Sequence, residues 1–228
     1  PLLYPVVHVA DVGVAVDQVD LAMSCGADGV FLINQPADVK AVLAVLASVR
    51  SSREGLFVGV NLLGLSPVET YEQVNRRGSE TGVWPNAVWV DDARVEYGDV
   101  AAIGRLRSEN EELRNVDLFG GTAFKYTDGY TDDPQLAAAA AVAAVEAGVD
   151  AVTTSGPGTG RPPTVDKVAA MSEVCPRLAI ASGVTVENVE RLGAYASEIL
   201  FSTSVETRPY SGVFDPSALA EFVSAARS

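Results

Sequence analysis

The strongest constraint on the fold of this chain is an alternation repeated eight times: a short apolar run, then a longer stretch with helical periodicity. The apolar runs are Pro5–Val9, Gly29–Ile33, Leu56–Asn61, Ala87–Val90, Asp117–Ala123, Ala151–Thr154, Leu178–Ala181 and Ile199–Ser202. Most are continuously apolar rather than alternating, which is the pattern of parallel strands covered on both faces. The predicted helices between them are Ala15–Ser24, Ala37–Val49, Pro67–Arg76, Val100–Leu113, Pro134–Ala147, Val165–Val174, Val186–Leu192 and Pro216–Ala226. Ser66-Pro67 and Asp215-Pro216 pair a capping side chain with a proline at the first helical position. Glycine in Gly26-Ala27-Asp28 and Gly148-Val149-Asp150 supplies a left-handed helix stop before the next strand.

Eight such units in 228 residues predict an α/β chain folded as a (β/α)8 TIM barrel, one domain over residues 1–228. An open doubly wound sheet is the rival. The first βα junction, Ala10–Val14, lacks the dinucleotide fingerprint, and the chain has no Walker lysine loop, so the barrel is preferred. Other classes fall to composition. Thirty acidic against 16 basic residues give a formal net charge of −14, which disfavours nucleic acid and anionic membranes as partners. The chain has no apolar run long enough for a membrane span, and Pro-Leu-Leu-Tyr-Pro carries no signal-peptide pattern. A soluble, cytoplasmic protein is expected. Cys25 and Cys175 are too few and too far apart for a disulfide framework or zinc site, and are expected to be free, buried thiols.

A barrel carries its active site at the C-terminal ends of the strands. The residues at or just past those ends include His8, Asp11, Asn34, Asn61, Asp91, Asp92, Lys125, Ser155, Ser182 and Ser202. Lys125 stands out because the chain has only three lysines, and because Gly120-Gly121-Thr122-Ala123 leaves open space beside it. It could neutralise a phosphate or carboxylate, stabilise a developing enolate or form an imine; a structural ion pair with Asp91 or Asp92 is the plainer reading. His8 is the only histidine and could act as general acid or base, with Asp11 orienting it, or could be a satisfied core residue. Of Asp91 and Asp92, adjacent on a strand, only one can aim into the mouth. That one could be a general base or a Mg²⁺ ligand. Asn34 and Asn61 are neutral amides suited to a hydroxyl or carbonyl, or simply turn formers.

Three small-residue loops follow the last three strands. The first is Ser155-Gly156-Pro157-Gly158-Thr159-Gly160-Arg161-Pro162-Pro163, where three glycines let the backbone approach an anion and Arg161 could clamp it. The others, around Ser182-Gly183 and Ser202-Thr203-Ser204, occupy the position where barrels commonly bind phosphate. Ordinary tight turns would look similar. The fifth loop, with Tyr126, Tyr130, Asp128, Asp132 and Asp133, is a candidate lid.

Several of these segments resemble one family. Ser155–Pro163 is similar to the Thr/Ser-Gly-Pro-x-Thr-Gly-x-Pro-Pro loop of the BtpA/SgcQ family, phosphosugar-type barrels named after a photosystem I biogenesis factor. Ser182-Gly-Val-Thr-Val-Glu-Asn-Val189 and Phe57-Val-Gly-Val-Asn-Leu-Leu63 resemble two further segments, and Lys125 stands where the family carries a lysine after strand five. The likeness covers most of the chain from residue 56 onward. Nearer the N-terminus only His8 and Asn34 match, and a family glutamate after strand two is missing. The resemblance implies a ribulose-phosphate-binding type of barrel and a phosphosugar-type ligand.

Residues and resemblance together predict an enzyme that holds a phosphorylated sugar or nucleotide-like metabolite at the C-terminal face. Thr159, Gly160, Ser182, Gly183 and Ser202–Ser204 would contact it, and Lys125 would assist lyase or isomerase chemistry. Two alternatives stay open: a non-catalytic, BtpA-like assembly or regulatory protein, and a metal-dependent hydrolase built on Asp91 or Asp92. The first reading needs no cofactor and no metal site. Mg²⁺ and a homo-oligomer are left open.

Overall fold

The apolar runs become eight strands: β1 (Leu2–His8), β2 (Gly29–Ile33), β3 (Phe57–Asn61), β4 (Ala87–Val90), β5 (Asp117–Gly121), β6 (Ala151–Thr154), β7 (Leu178–Ala181) and β8 (Glu198–Phe201). Helices α1 (Val12–Ser24), α2 (Val39–Ser52), α3 (Pro67–Thr81), α4 (Asp99–Glu109), α5 (Pro134–Ala147), α6 (Val165–Ser172), α7 (Val189–Gly193) and α8 (Pro216–Ala226) alternate with them. The computed structural model describes residues 1–35, 38–53 and 55–228. Ala37, the expected first residue of the second helix, lies outside the described residues. Each strand pairs in parallel with the next and β1 pairs with β8, so the sheet closes into an eight-stranded TIM barrel.

Closure explains the continuous apolar runs. Successive side chains on a strand face opposite ways. On β4, Ala87 and Trp89 point into the barrel while Val88 and Val90 pack beneath the helices. The lower interior is aromatic: Tyr4 stacks on Phe57 at 4.5 Å between centroids, and Phe31 meets Phe119 edge-on at 5.1 Å. Below them Arg177 closes the floor, bonding Glu198 at 2.9 Å and Asp117 at 2.8 Å.

Two expected boundaries moved for physical reasons. β5 stops at Gly121 because Ala123 takes a left-handed φ of +48° and turns the chain. The turn is held by the Lys167 ammonium, which donates to the Ala123 carbonyl at 2.7 Å. The seventh helix begins at Val189, later than expected, because the Asn188 side chain accepts from the Thr185 N–H and makes a turn first. Both cysteines are free, but only Cys175 is buried; Cys25 is half-buried. Burial pushes the Cys175 thiol up to about 11. Among the described residues no helix is long and apolar enough to cross a membrane.

Candidate functional site

A cavity of about 350 Å³ opens at the C-terminal ends of the strands, walled by the end of β1 and by residues of the loops after β2 to β8. Asp91, at the end of β4, reaches it because β5 comes unusually close. A Cβ on Gly121 would stand 1.8 Å from the Asp91 carbonyl oxygen, so only glycine permits this approach. Asn61 then donates to the Asp91 carboxylate at 3.1 Å. Burial, the main effect, raises the Asp91 carboxyl above its ordinary value, against the pull of the Asn61 hydrogen bond and the Lys125 charge. Burial also lowers the Lys125 ammonium, while Asp91 acts to raise it. Lys125 therefore faces the cavity as a partly desolvated cation near a partly desolvated carboxylate.

His8, at the end of β1, lines the same cavity. Its Nδ1 lies 2.8 Å from Oε1 of Glu206 and 3.1 Å from Oγ of Ser202. A carboxylate only accepts, so Nδ1 donates to Glu206, and Nε2 makes no hydrogen bond among the described residues. The Glu206 side chain is fully buried and also accepts from the N–H groups of Gly212 at 3.1 Å and Tyr210 at 2.6 Å. Its geometry is thus fixed by the loop that carries it. Ser202 sits on the same nitrogen as Glu206, which does not arrange it as a nucleophile with His8 as its base.

The opposite requirement, a place for an anion, is met by the loops after β7 and β8. Gly183, Val184, Thr203 and Ser204 line the cavity, and their backbone N–H groups make no hydrogen bond to any described residue. The Ser202 carbonyl accepts from Val205 and Glu206 at 2.8 and 3.1 Å, which winds the segment into one turn with its free N–H groups leading. Such clustered N–H groups suit a phosphate.

The glycine-rich loop after β6 plays another part. Its backbone lies over Gly183, where a Cβ would stand 2.2 Å from the Arg161 carbonyl carbon; Gly183 has φ +70° and must be glycine on both counts. Gly156 is buried against the Arg161 and Pro162 carbonyls, inside the loop rather than on the cavity. Ser155, also buried, accepts from the Lys125 N–H at 2.8 Å and so fixes the backbone of that lysine. Thr159 does line the cavity, and its N–H donates to the Tyr126 hydroxyl at 3.1 Å, tying this loop to the one after β5. Gly160 donates to Ser182 Oγ at 3.3 Å, so that hydroxyl is engaged in joining loops although Ser182 borders the cavity.

Seven expected contacts are therefore placed off this cavity. Ser155, Gly156, Gly160 and Arg161 do not line it. Asp11 is exposed and caps α1 by accepting from the Val14 N–H at 3.1 Å; Glu206, not Asp11, orients His8. Asn34 is consumed by the backbone of Leu63, donating at 3.1 Å and accepting at 2.6 Å, which clips the loops after β2 and β3 together. Asn61 lies one step behind, holding Asp91 from a neighbouring pocket. Asp92 faces that pocket too and accepts from the Arg94 N–H at 2.9 Å. Asp91 and Asp92 thus diverge, and among the described residues no group of three or more potential ligands could hold a metal ion.

Sequence reasoning also missed residues. Glu206 is one of 30 acidic residues in a loop, and nothing local marks it. Lys167 is fully buried, donating to the Ala123 and Ser155 carbonyls at 2.7 and 2.8 Å beneath the Tyr130 ring. Burial lowers it to about 8. Its signal was available: it is one of three lysines and lies on the inward side of a helix.

No protein-family model matches the chain. An uncharacterized protein of Thermococcus kodakarensis is 28% identical over 175 residues, 73% of this chain and 63% of that protein, so the match spans less than two thirds of the relative's length. Among solved structures, phosphoribosyl anthranilate isomerase from Thermococcus kodakaraensis superposes with a TM-score of 0.69 at 19% identity, covering 100% of this chain and 99% of that one. (S)-3-O-geranylgeranylglyceryl phosphate synthase from Thermoplasma acidophilum, in complex with its substrate sn-glycerol-1-phosphate, gives 0.68 at 15% identity over 99% and 92% of the two chains. The native KDPGal structure gives 0.68 at 17% identity over 99% and 94%. At these identities the likeness is one of fold.

Proposed function

We propose that this chain is an enzyme acting on a small phosphorylated metabolite, by proton-transfer chemistry of the lyase or isomerase type. One observation carries the reading: the unspent N–H groups of Gly183, Val184, Thr203 and Ser204 share a single cavity with Lys125, Asp91 and the carboxylate-held His8. The four N–H groups would hold the phosphate. Lys125 would stabilise charge developing on a substrate oxygen, and Asp91 and the free Nε2 of His8 would move protons on opposite sides of the mouth. Kinship to the BtpA/SgcQ group is supported by the Ser155–Pro163, Ser182–Val189 and Phe57–Leu63 segments and by the position of Lys125. A single self-contained domain is part of the same proposal.

Calorimetric titration with inorganic phosphate and with a panel of phosphate esters tests the binding half, and heat stabilisation by mass action reports the same event. Where an ester is turned over, Lys125→Ala lowers kcat/KM by about 10²–10³-fold, whereas Lys40→Ala, on the exposed face of α2, leaves it unchanged. Equal effects of the two substitutions, or silence across the panel, overturn the reading and favour a non-catalytic scaffold. Borohydride trapping with substrate separates an imine on Lys125 from electrostatic help.

A further inference from the structure

We infer that the organic part of this cavity's ligand is a flat apolar or aromatic group, joined to the phosphate by a short link, and not a polyol. The inference deepens the phosphate reading and rests on it. Below the N–H groups after β7 and β8, the floor of the cavity is made by Val6, Ile33, Trp89 and Leu200. All four are buried members of the barrel's inner core. Their side chains offer a single polar group, the Trp89 indole N–H, which has no partner among the described residues. A sugar hydroxyl laid on this floor would give up water and find almost nothing to bond, which disfavours it. A flat ring laid there removes apolar surface from water on both sides and meets an indole already surrounded edge-on by Phe31 and Phe124.

The amides that a polyol site would need are engaged elsewhere. Asn61 is bound to Asp91 and Asn34 to the Leu63 backbone, so among the described residues Gln35 is the one side-chain amide left on the cavity wall. Size agrees. An apolar cavity of about 150 Å³ accepts benzene, and about 350 Å³ leaves room for a phosphate and a one- or two-atom link. Even the charged groups of the inner mouth are poorly hydrated, burial being the leading influence on both Lys125 and Asp91.

The test is a calorimetric titration of the intact chain with inorganic phosphate, ribose 5-phosphate, phenyl phosphate and benzyl phosphate, with benzyl alcohol as an uncharged control. Trp84→Phe leaves Trp89 as the single tryptophan, and its emission reports occupancy of the floor. The aryl esters should bind at least about tenfold more tightly than inorganic phosphate or ribose 5-phosphate, and they alone should shift the Trp89 emission. If ribose 5-phosphate binds as tightly as the aryl esters while phosphate still binds, this inference is overturned and the phosphate reading stands. If neither phosphate nor any ester binds, or benzyl alcohol binds as well as benzyl phosphate, the phosphate reading itself fails and this inference fails with it.

Discussion

The two ends of the barrel handle buried charge in opposite ways. At the N-terminal end, Arg177 spans Asp117 and Glu198 and lies over the Phe119 ring, 5.3 Å from its centroid. Both carboxylates engage its guanidinium, which stays partly exposed, and one buried oxygen of Glu198 has no partner among the described residues. At the C-terminal end, burial is the leading influence on both Lys125 and Asp91, yet no direct ion pair joins them among the described residues; Asp91 takes one bond from Asn61, and several backbone N–H groups have no acceptor among those residues. Those N–H groups border the open cavity, with Ser204 exposed and Thr203 half-buried, so water or a ligand serves as their acceptor. The difference teaches where stability was built and where it was given up, and it distinguishes the site from its structural mirror more sharply than residue types do.

The largest effect expected from testing this contrast is at the closed end. Arg177→Met leaves Glu198, 2% exposed, without its partner and should destabilise the fold by about 3 kcal/mol in denaturant unfolding. Burial raises the Glu198 carboxyl above its ordinary value even with Arg177 present. The folded variant therefore takes up a proton readily, and the loss should shrink as pH falls toward 5. A loss under about 1 kcal/mol would show that the closed end is no clamp.

An intermediate effect is expected at Lys167, the lysine that anchors the loops bearing Lys125. Its folded value of about 8 lies below the ordinary lysine value near 10.4. The unfolded chain then binds more protons across that window, so wild-type stability contributed by this group rises with pH from about 8 to 10. Lys167→Met lacks that term. The stability difference between the two proteins should shift toward the wild type by about 1–3 kcal/mol over the window, read by denaturant titration at each pH. A flat difference would mean that Lys167 titrates like an exposed lysine.

The smallest effect has the opposite sign. The Asp91 carboxyl is raised by burial, so its ionised form burdens the folded state at every pH above the ordinary carboxylate range. Asp91→Asn should stabilise the protein by about 1 kcal/mol at pH 7, with the gain fading toward pH 4, while removing turnover. Stabilisation at the mouth beside destabilisation at the floor would sharpen the contrast; destabilisation at both would erase it.

Much of the barrel was legible beforehand because its cues are local. Six strand or helix ranges, such as Ala151–Thr154 and Pro134–Ala147, coincide with their apolar runs and caps. Lys125, Gly183 and Ser204 follow strand ends, and a closed parallel sheet puts all such positions on one rim. The loop after β6 was harder to read. Its glycines signal close approach, but a sequence does not say to what; the answer is the loop's own carbonyls and the backbone around Gly183.

What the chain's order of residues determined by itself is therefore the repeat, the closure it favours and the rim where chemistry must lie. Periodicity and capping act over a few residues, so they can be read without the fold. Tertiary structure alone decided which rim residues meet. His8 and Glu206 are separated by 198 positions, Lys167 and the Ala123 carbonyl by 44, and no local preference encodes such pairings. It also decided which polar groups remain unspent, since that depends on every neighbour packed around them.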